Sequence, residues 1–310
     1  MTDLKALNEL EKRLGSCMKM IRMAPMAQYT TLRLGGPADM LAEPGSPEQL
    51  VQLLQAANEL NIPVTLIGHG SNLLVKDGGV RGLVIRICRE MRRIEVRGNT
   101  IRAEAGAMLS SLAMTAAENS LGGLVFASGI PGTVGGGVYM NAGAYGGEMS
   151  QVVSRVEGVT YTGEPFAYTG EEMQFAYRYS RLMEEKKIVT HVTCKLPDAD
   201  REKLISDMVE LNRRRAEKQP LTLPSAGSTF KRPVGGFASA MVDECGLKGK
   251  SIGGAQVSEK HAGFLVNRGG TAADFLALIA HVQKEVYDQK GVMLEPEVCI
   301  LGEDAPVIPV

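Results

Sequence analysis

A mixed α+β chain of two or three packed domains is what the sequence predicts, on three observations. At 310 residues the chain exceeds the usual size of a single core. Its apolar residues fall alternately at helical spacing and in short β-prone runs. Hydrophobic residues make up 44% and charged residues 22%, which is enough apolar side chain to bury a core and far from the charge excess of a disordered chain.

Taken in order, Leu4, Leu7, Leu10 and Leu14 recur at helical spacing and predict an amphipathic leader helix within residues 4–23. Ser46-Pro47-Glu48-Gln49 reads as an N-cap, a proline at the first helical position and a capping-box glutamine, opening a helix from 47 to about 60. Residues 63–67 form a strand that stops at Gly68-His69-Gly70-Ser71-Asn72, after which Leu73 to Val75 resume the apolar pattern. Strands follow at 82–87 and 100–105, a helix at 109–119, and strands at 152–160 and 188–196. A charged helix from 198 to about 218 leads to Pro220, where a domain boundary is placed. The remainder reads as a small α+β domain. It has a helix at 237–245, strands at 251–257 and 263–266, a helix opening at Thr271 with Asp274 at N3, and a final strand at 292–301.

Several functions are disfavoured by composition. A net charge of -1 offers no uniform basic field for nucleic acid or acidic lipid. Cys17, Cys88, Cys194, Cys245 and Cys299 are odd in number and scattered, with no Cys-x-x-Cys pair, so free thiols in a reducing compartment are expected and no metal site is. No apolar stretch approaches the ~20 residues that span a bilayer, and residues 1–22 carry no export signal. A cytoplasmic protein is expected.

Two glycine-rich segments draw the eye. Gly68 to Asn72 ends a strand, and its backbone N–H groups with the Ser71 and Asn72 side chains could converge on a diphosphate; a plain strand-end turn is the competing reading. Leu73 stands where a Rossmann fingerprint needs its last glycine, and Glu244 where Gly249-Lys250-Ser251 would need the first glycine of a P-loop, so neither motif is complete. Between Gly129 and Gly147, eight of nineteen residues are glycine, which would let an extended ligand approach bare backbone. A structural Ω-loop is the alternative, but so long a loop within a compact domain is uncommon unless functional. Two diphosphate-competent loops suit one flavin adenine dinucleotide better than two ligands.

Together with Ser128-Gly-Ile-Pro-Gly-x-x-Gly135, Asn141-Ala-Gly-Ala-Tyr-Gly146, Tyr177-Arg178-x-Ser180, Ala226-Gly-Ser-x-Phe-Lys231 and Leu294-Glu-Pro-Glu-Val298, the chain resembles the UDP-N-acetylenolpyruvoylglucosamine reductase (MurB) family of bacterial cell-wall synthesis over roughly residues 29–303. The resemblance implies an FAD-binding part of vanillyl-alcohol-oxidase/PCMH type, in two subdomains at 26–90 and 91–218. A C-terminal α+β substrate-binding domain at 219–303 would follow, flanked by a helical leader at 1–25 and a tail at 304–310. It implies non-covalent FAD on Gly68, His69, Gly70, Ser71, Asn72, Ser128, Gly129, Ile130, Pro131, Gly132, Gly135, Asn141, Ala142, Gly143, Gly146 and Val189. His69 could suggest covalent attachment, but its place in a diphosphate loop argues otherwise.

The implied chemistry is ping-pong: NADPH reduces the flavin and leaves, and the enolpyruvyl UDP-sugar then takes hydride at its alkene β-carbon. Arg178 would neutralise the developing enolate, Ser228 would give the proton to the α-carbon, and Glu297 would help hold the intermediate. Tyr177, Lys218, Lys231 and His261 match positions near the nucleotide-sugar, the lysines suiting a diphosphate as point charges. Read locally, Arg178 could be a surface ion-pair residue, Ser228 a turn residue and Glu297 a solvated strand position; only the co-occurrence of their motifs says otherwise. Glu295, on the same face of the expected strand, is the competitor of Glu297. Arg213, Arg214 and Arg215 read as a solvated helix face, and His191 and His281 as structural. Pro197 leads straight into a helix where some family members carry a Tyr-Gly-Asp-Leu element, so the chain resembles the shorter, type II branch. The other readings are a flavin oxidase of the same fold and a non-catalytic flavin or nucleotide-sugar regulator; the Arg178, Ser228 and Glu297 set disfavours the latter. A UDP-sugar is the expected small-molecule partner and a monomer the expected state, though the residues fix no oligomer.

Overall fold

The computed structural model describes residues 4–305, so parts of the leader expected at 1–25 and of the tail at 304–310 lie outside the described residues. The chain runs α1 (Leu4–Leu14), β1 (Lys19–Pro25), β2 (Pro37–Glu43), α2 (Pro47–Glu59), β3 (Val64–Ile67), β4 (Leu73–Val75), β5 (Val80–Arg86), β6 (Ile94–Arg97), β7 (Thr100–Glu104), α3 (Leu109–Glu118) and α4 (Val134–Tyr139). There follow β8 (Gly143–Ala144), β9 (Gly147–Glu148), β10 (Val153–Thr160), β11 (Pro165–Thr169), α5 (Leu182–Glu185), β12 (Lys187–Lys195) and α6 (Arg201–Lys218). The last part holds β13 (Ser225–Ser228), α7 (Ala238–Glu244), β14 (Ser251–Ile252), β15 (Ala255–Val257), β16 (Phe264–Asn267), α8 (Ala272–Lys290) and β17 (Cys299–Leu301). The strands form sheets ordered β1-β2-β5-β3, β11-β10-β12-β7-β6 and β13-β16-β15-β14, with a β17-β4 pair and a small β8-β9 pair. The α+β expectation is met.

Two compact units result. One takes the residues up to Ile21, Met40–His69 and Gly82–Arg214; the other takes Arg22–Asp39, Gly70–Arg81 and everything from Arg215 on. Each has its own apolar core. In the first, Leu53, Leu83, Ile101, Leu112, Val156 and Val192 are buried together. In the second, Leu32, Leu74, Val242, Val257, Phe275 and Leu278 are.

The second unit is laced from three stretches of chain. β17 pairs with β4 in parallel, Cys299 opposite Leu73. Thr31 Oγ1 donates to the Ser225 carbonyl at 2.7 Å, and Asn267 Nδ2 to that of Leu32 at 3.0 Å. Asp77 accepts from the Ala272 and Ala273 N–H groups, both at 2.9 Å, placing a carboxylate on the positive end of α8. Thr271 and Asp274 complete the capping box at that same terminus.

Some sequence expectations are corrected. The first helix ends at Leu14 rather than near residue 23, because Gly15 and Ser16 are weak helix formers, and residues 19–25 are strand. At α2 only half the expected capping box forms. Ser46 Oγ accepts from the Gln49 N–H at 3.3 Å, but the Gln49 side chain accepts from the Gly45 N–H at 2.7 Å and donates to the Cys17 carbonyl at 3.0 Å. The α6 helix starts at Arg201, where Asp200 Oδ1 accepts from the Lys203 N–H at 2.6 Å. The strand expected at 251–257 is a hairpin turned at Gly253 and Gly254. The strand expected at 292–301 is regular only over β17, since Pro296 has no N–H to give a ladder.

Candidate functional site

The first unit carries the Gly-rich stretch and Arg178. Within the stretch runs a short helix unseen in the sequence, α4, capped by Thr133, whose Oγ1 accepts from the Gly136 N–H at 3.4 Å. Its glycines permit close packing. A Cβ on Gly137 would stand 2.9 Å from Leu109 Cδ1, and one on Gly135 2.8 Å from Ala105 Cβ. The segment leading into it, Ser128 to Gly132, stays at least partly exposed. At Gly146, with φ 85°, nothing lies within 4 Å of where a Cβ would sit. Partly exposed, side-chain-poor backbone of this kind fits an extended dinucleotide. Val189 is buried in β12 opposite Gly158.

Arg178 sits in a tight turn. Ala176 and Tyr179 exchange both main-chain hydrogen bonds, each 3.1 Å, leaving Tyr177 and Arg178 at the tip. Arg178 has φ 54°, the left-handed conformation that a turn of this kind ordinarily gives to glycine. Its guanidinium lies 5.1 Å from the centre of the exposed Tyr177 ring. The turn is pinned on both sides. Ser180, fully buried, donates to the Tyr139 carbonyl at 2.5 Å, and Asn141 Nδ2 donates to the Ala176 carbonyl at 3.0 Å. The motifs around Asn141 and Arg178, separate in the sequence, are thus one hydrogen-bonded structure.

Just beyond the turn, Arg181 Nε meets Glu185 Oε1 at 2.5 Å, while Lys187 and the Tyr168 hydroxyl reach Glu185 Oε2 at 2.8 and 2.7 Å. These contacts, the Lys187 one foremost, hold the Glu185 carboxyl down from 4.5 to about 2. A depressed carboxyl stabilises the fold fully above its ordinary pKa and loses that contribution as pH falls through its folded value. We expect thermal unfolding midpoints to drop between pH 4.5 and about 2, and Glu185→Gln to flatten that part of the profile. An unchanged profile in the variant would remove Glu185 from the acid response.

The loop from Gly68 to Asn72 bridges β3 and β4. A Cβ on Gly68 would lie 2.6 Å from Thr133 Oγ1. His69 Nδ1 is 3.9 Å from the Cys88 sulfur, and burial lowers the imidazole's pKa, favouring the neutral ring. Gly70 has φ 76° and faces the Tyr29 carbonyl, 2.0 Å from where a Cβ would stand, so no other residue fits. Asn72 is turned toward the C-terminal segment. Its Nδ2 donates to the Glu297 carbonyl at 3.0 Å, and its own carbonyl accepts from the Cys299 N–H at 3.0 Å.

In the second unit, Ser228 closes β13 beside Gly227, whose φ of 80° makes the irregularity in pairing with β16. Ser228 is exposed. The next residue, Thr229, donates its N–H to the Gly263 carbonyl at 2.8 Å and accepts at its own carbonyl from the Glu297 N–H at 2.7 Å. Ser228 and Glu297 are therefore one backbone step apart. Glu297 is held at both its N–H and its C=O, by Thr229 and Asn72. Glu295, placed on the same strand face by the sequence, is instead outside any regular strand and drawn to Lys231 at 2.5 Å. His261 Nδ1 accepts from the Gly263 N–H at 3.2 Å, which leaves the ring proton on Nε2. Burial lowers its pKa too. Lys218 is exposed at the end of α6.

Outside these groups, Arg213 and Arg214 pair with Glu210 at 2.8 and 2.6 Å on an exposed face, as expected of a solvated run. All five cysteines are free, and burial pushes the Cys194 thiol up to about 12. Missed by sequence reasoning were the anchoring roles of Asn72, Asn141 and Ser180.

Comparison with known proteins matches two segments of the chain. Residues 38–167 match the model of an FAD binding domain, and residues 219–301 that of the UDP-N-acetylenolpyruvoylglucosamine reductase C-terminal domain. The chain is 48% identical over 288 residues to the UDP-N-acetylenolpyruvoylglucosamine reductase of Levilactobacillus brevis, covering 93% of this chain and 94% of that one. It is 49% identical over 282 residues to that of Clostridium beijerinckii, covering 91% and 92%. Among solved structures, that of the Thermus caldophilus MurB enzyme is similar with a TM-score of 0.80 and 37% identity, over 92% of this chain and 99% of that one.

Proposed function

The chain belongs to the family of UDP-N-acetylenolpyruvoylglucosamine reductases, and from that membership we infer an FAD-dependent oxidoreductase that uses NADPH to reduce UDP-N-acetylglucosamine enolpyruvate to UDP-N-acetylmuramate for peptidoglycan synthesis. Flavin binding is assigned to residues 26–90 and 91–218, and the nucleotide-sugar to 219–303. Among the described residues no helix is long and apolar enough to cross a membrane, and we propose a cytoplasmic monomer.

Bound without a covalent link, FAD supplies the carrier that takes hydride from NADPH and delivers it to the sugar. The residues that would hold it are those of the two glycine-rich segments, Gly68 to Asn72 and Ser128 to Gly146. Hydride addition at the β-carbon drives negative charge onto the substrate's carboxylate. The Arg178 guanidinium meets that charge, and because its turn is pinned in advance little reorganisation is needed as charge develops. The Ser228 hydroxyl then gives its proton to the α-carbon. A hydroxyl is a weak acid, so this step depends on its electrostatic setting, to which Glu297 would contribute. Lys218 and Lys231 meet the diphosphate, His261 offers its Nε2–H, and Tyr177 offers its ring.

The observation that carries these roles is the conformation of Arg178. An arginine kept in a left-handed turn position that glycine would fill at lower energy is there for its side chain. The test is anaerobic rapid mixing of the holoenzyme with NADPH and then the enolpyruvyl UDP-sugar. Flavin bleaching followed by sugar-driven recovery is expected. Recovery with oxygen alone would mean an oxidase, and no bleaching at all a binding protein.

A further inference from the structure

We propose that Asn141 is a positioning residue for Arg178, its side chain setting the turn that presents the guanidinium; this rests on the reading that Arg178 meets the substrate's developing charge. Asn141 lies in the glycine-rich stretch expected to face the cofactor, yet it is only 1% exposed. Both ends of its carboxamide are spent inside the protein. Nδ2 donates to the Ala176 carbonyl at 3.0 Å, and Oδ1 accepts from the Ser150 N–H at 3.0 Å. Because one partner only accepts and the other only donates, the amide can sit in one orientation.

The Ala176 carbonyl is also the acceptor that closes the turn from the Tyr179 N–H. Asn141 therefore grips the group on which the turn depends. Ser180, the residue after Tyr179, ties down the other end of the turn by donating to the Tyr139 carbonyl. Two buried side-chain bonds, both reaching residues 139–141, thus flank a strained arginine. Asn141 itself has φ 45°, so glycine can replace it without disturbing the backbone. The Asn141→Gly variant removes the grip on Ala176 together with the Ser150 contact, whereas Asn141→Asp keeps the acceptor for Ser150 but turns a carboxylate oxygen on the Ala176 carbonyl.

In FAD-loaded Asn141→Gly, sugar-driven reoxidation is expected to slow about 10²-fold more than reduction by NADPH does, the scale of an ångström of misplacement. In the apo-protein, amide exchange at Ala176 and Tyr179 should quicken. In an Arg178→Ala background the same substitution should add less than about twofold, since it acts through the missing side chain. Full additivity in that background, unchanged reoxidation in the single variant, or equal loss of FAD and of both half-reactions would overturn the proposal. Should Asn141→Gly fail to fold, Ser180→Ala tests the turn from its other anchor by the same readings. An Arg178→Ala enzyme that reoxidises normally sinks the underlying reading; one that is slow while Asn141→Gly is normal sinks only this inference.

Discussion

Replacing Ser228 with alanine is expected to leave FAD bound and NADPH oxidation near the parent rate, while sugar-driven reoxidation falls by about 10²–10⁴, the usual contribution of a positioned proton donor. The surroundings make this a clean substitution. Ser228 is exposed at the end of β13, and the neighbouring Thr229 carries the backbone bonds to Gly263 and Glu297. Removing one hydroxyl therefore disturbs neither contact. Rapid-mixing absorbance of the two half-reactions is the measurement. Equal slowing of both would take the proton-donor role from Ser228, and slowing of neither would pass it to another group.

Arg178→Gly should separate stability from catalysis. A left-handed arginine costs roughly 1–2 kcal/mol that glycine does not incur, offset by about 0.5–1 kcal/mol of extra chain entropy in the unfolded state. The variant's unfolding midpoint should match the parent's or exceed it. Its sugar-driven half-reaction should lose about 10²–10³, as when a single group stabilising a developing anion is removed. If Arg178 served only to make the turn, glycine would serve better and the rate would hold. Calorimetry beside the half-reaction kinetics decides between the two.

Much of this architecture was legible because it is local. Ser46 before Pro47 and Thr271 before Asp274 specify helix starts within four residues, and both caps formed. The α4 helix was not legible, because three consecutive glycines have poor helix propensity; it stands on close packing of Gly135 on Ala105 and Gly137 on Leu109. Residues 292–298 read as a strand from their apolar content, but Pro296 breaks the ladder and the segment is held by separate bonds to Asn72, Thr229 and Lys231. The site residues could be singled out only through motifs occurring together. Nothing local announces that the Tyr177-Arg178 pair makes a turn, or that Asn72 and Asn141 reach carbonyls 225 and 35 residues away.

The parallel pairing of β17 with β4 bears on how the polypeptide is made. A ribosome releases Leu73 to Val75 long before Cys299 to Leu301, with more than about two hundred residues between them. At ~5–20 residues per second the nascent β4 waits on the order of ten to fifty seconds for this partner. Asp77 waits almost as long for the helix end it caps. During that interval an apolar strand edge is open to other chains. Early termination shortly before Cys299 would make the exposure permanent, so Cys299 to Leu301 act as the latch on the second unit, and their loss should register first as aggregation during synthesis.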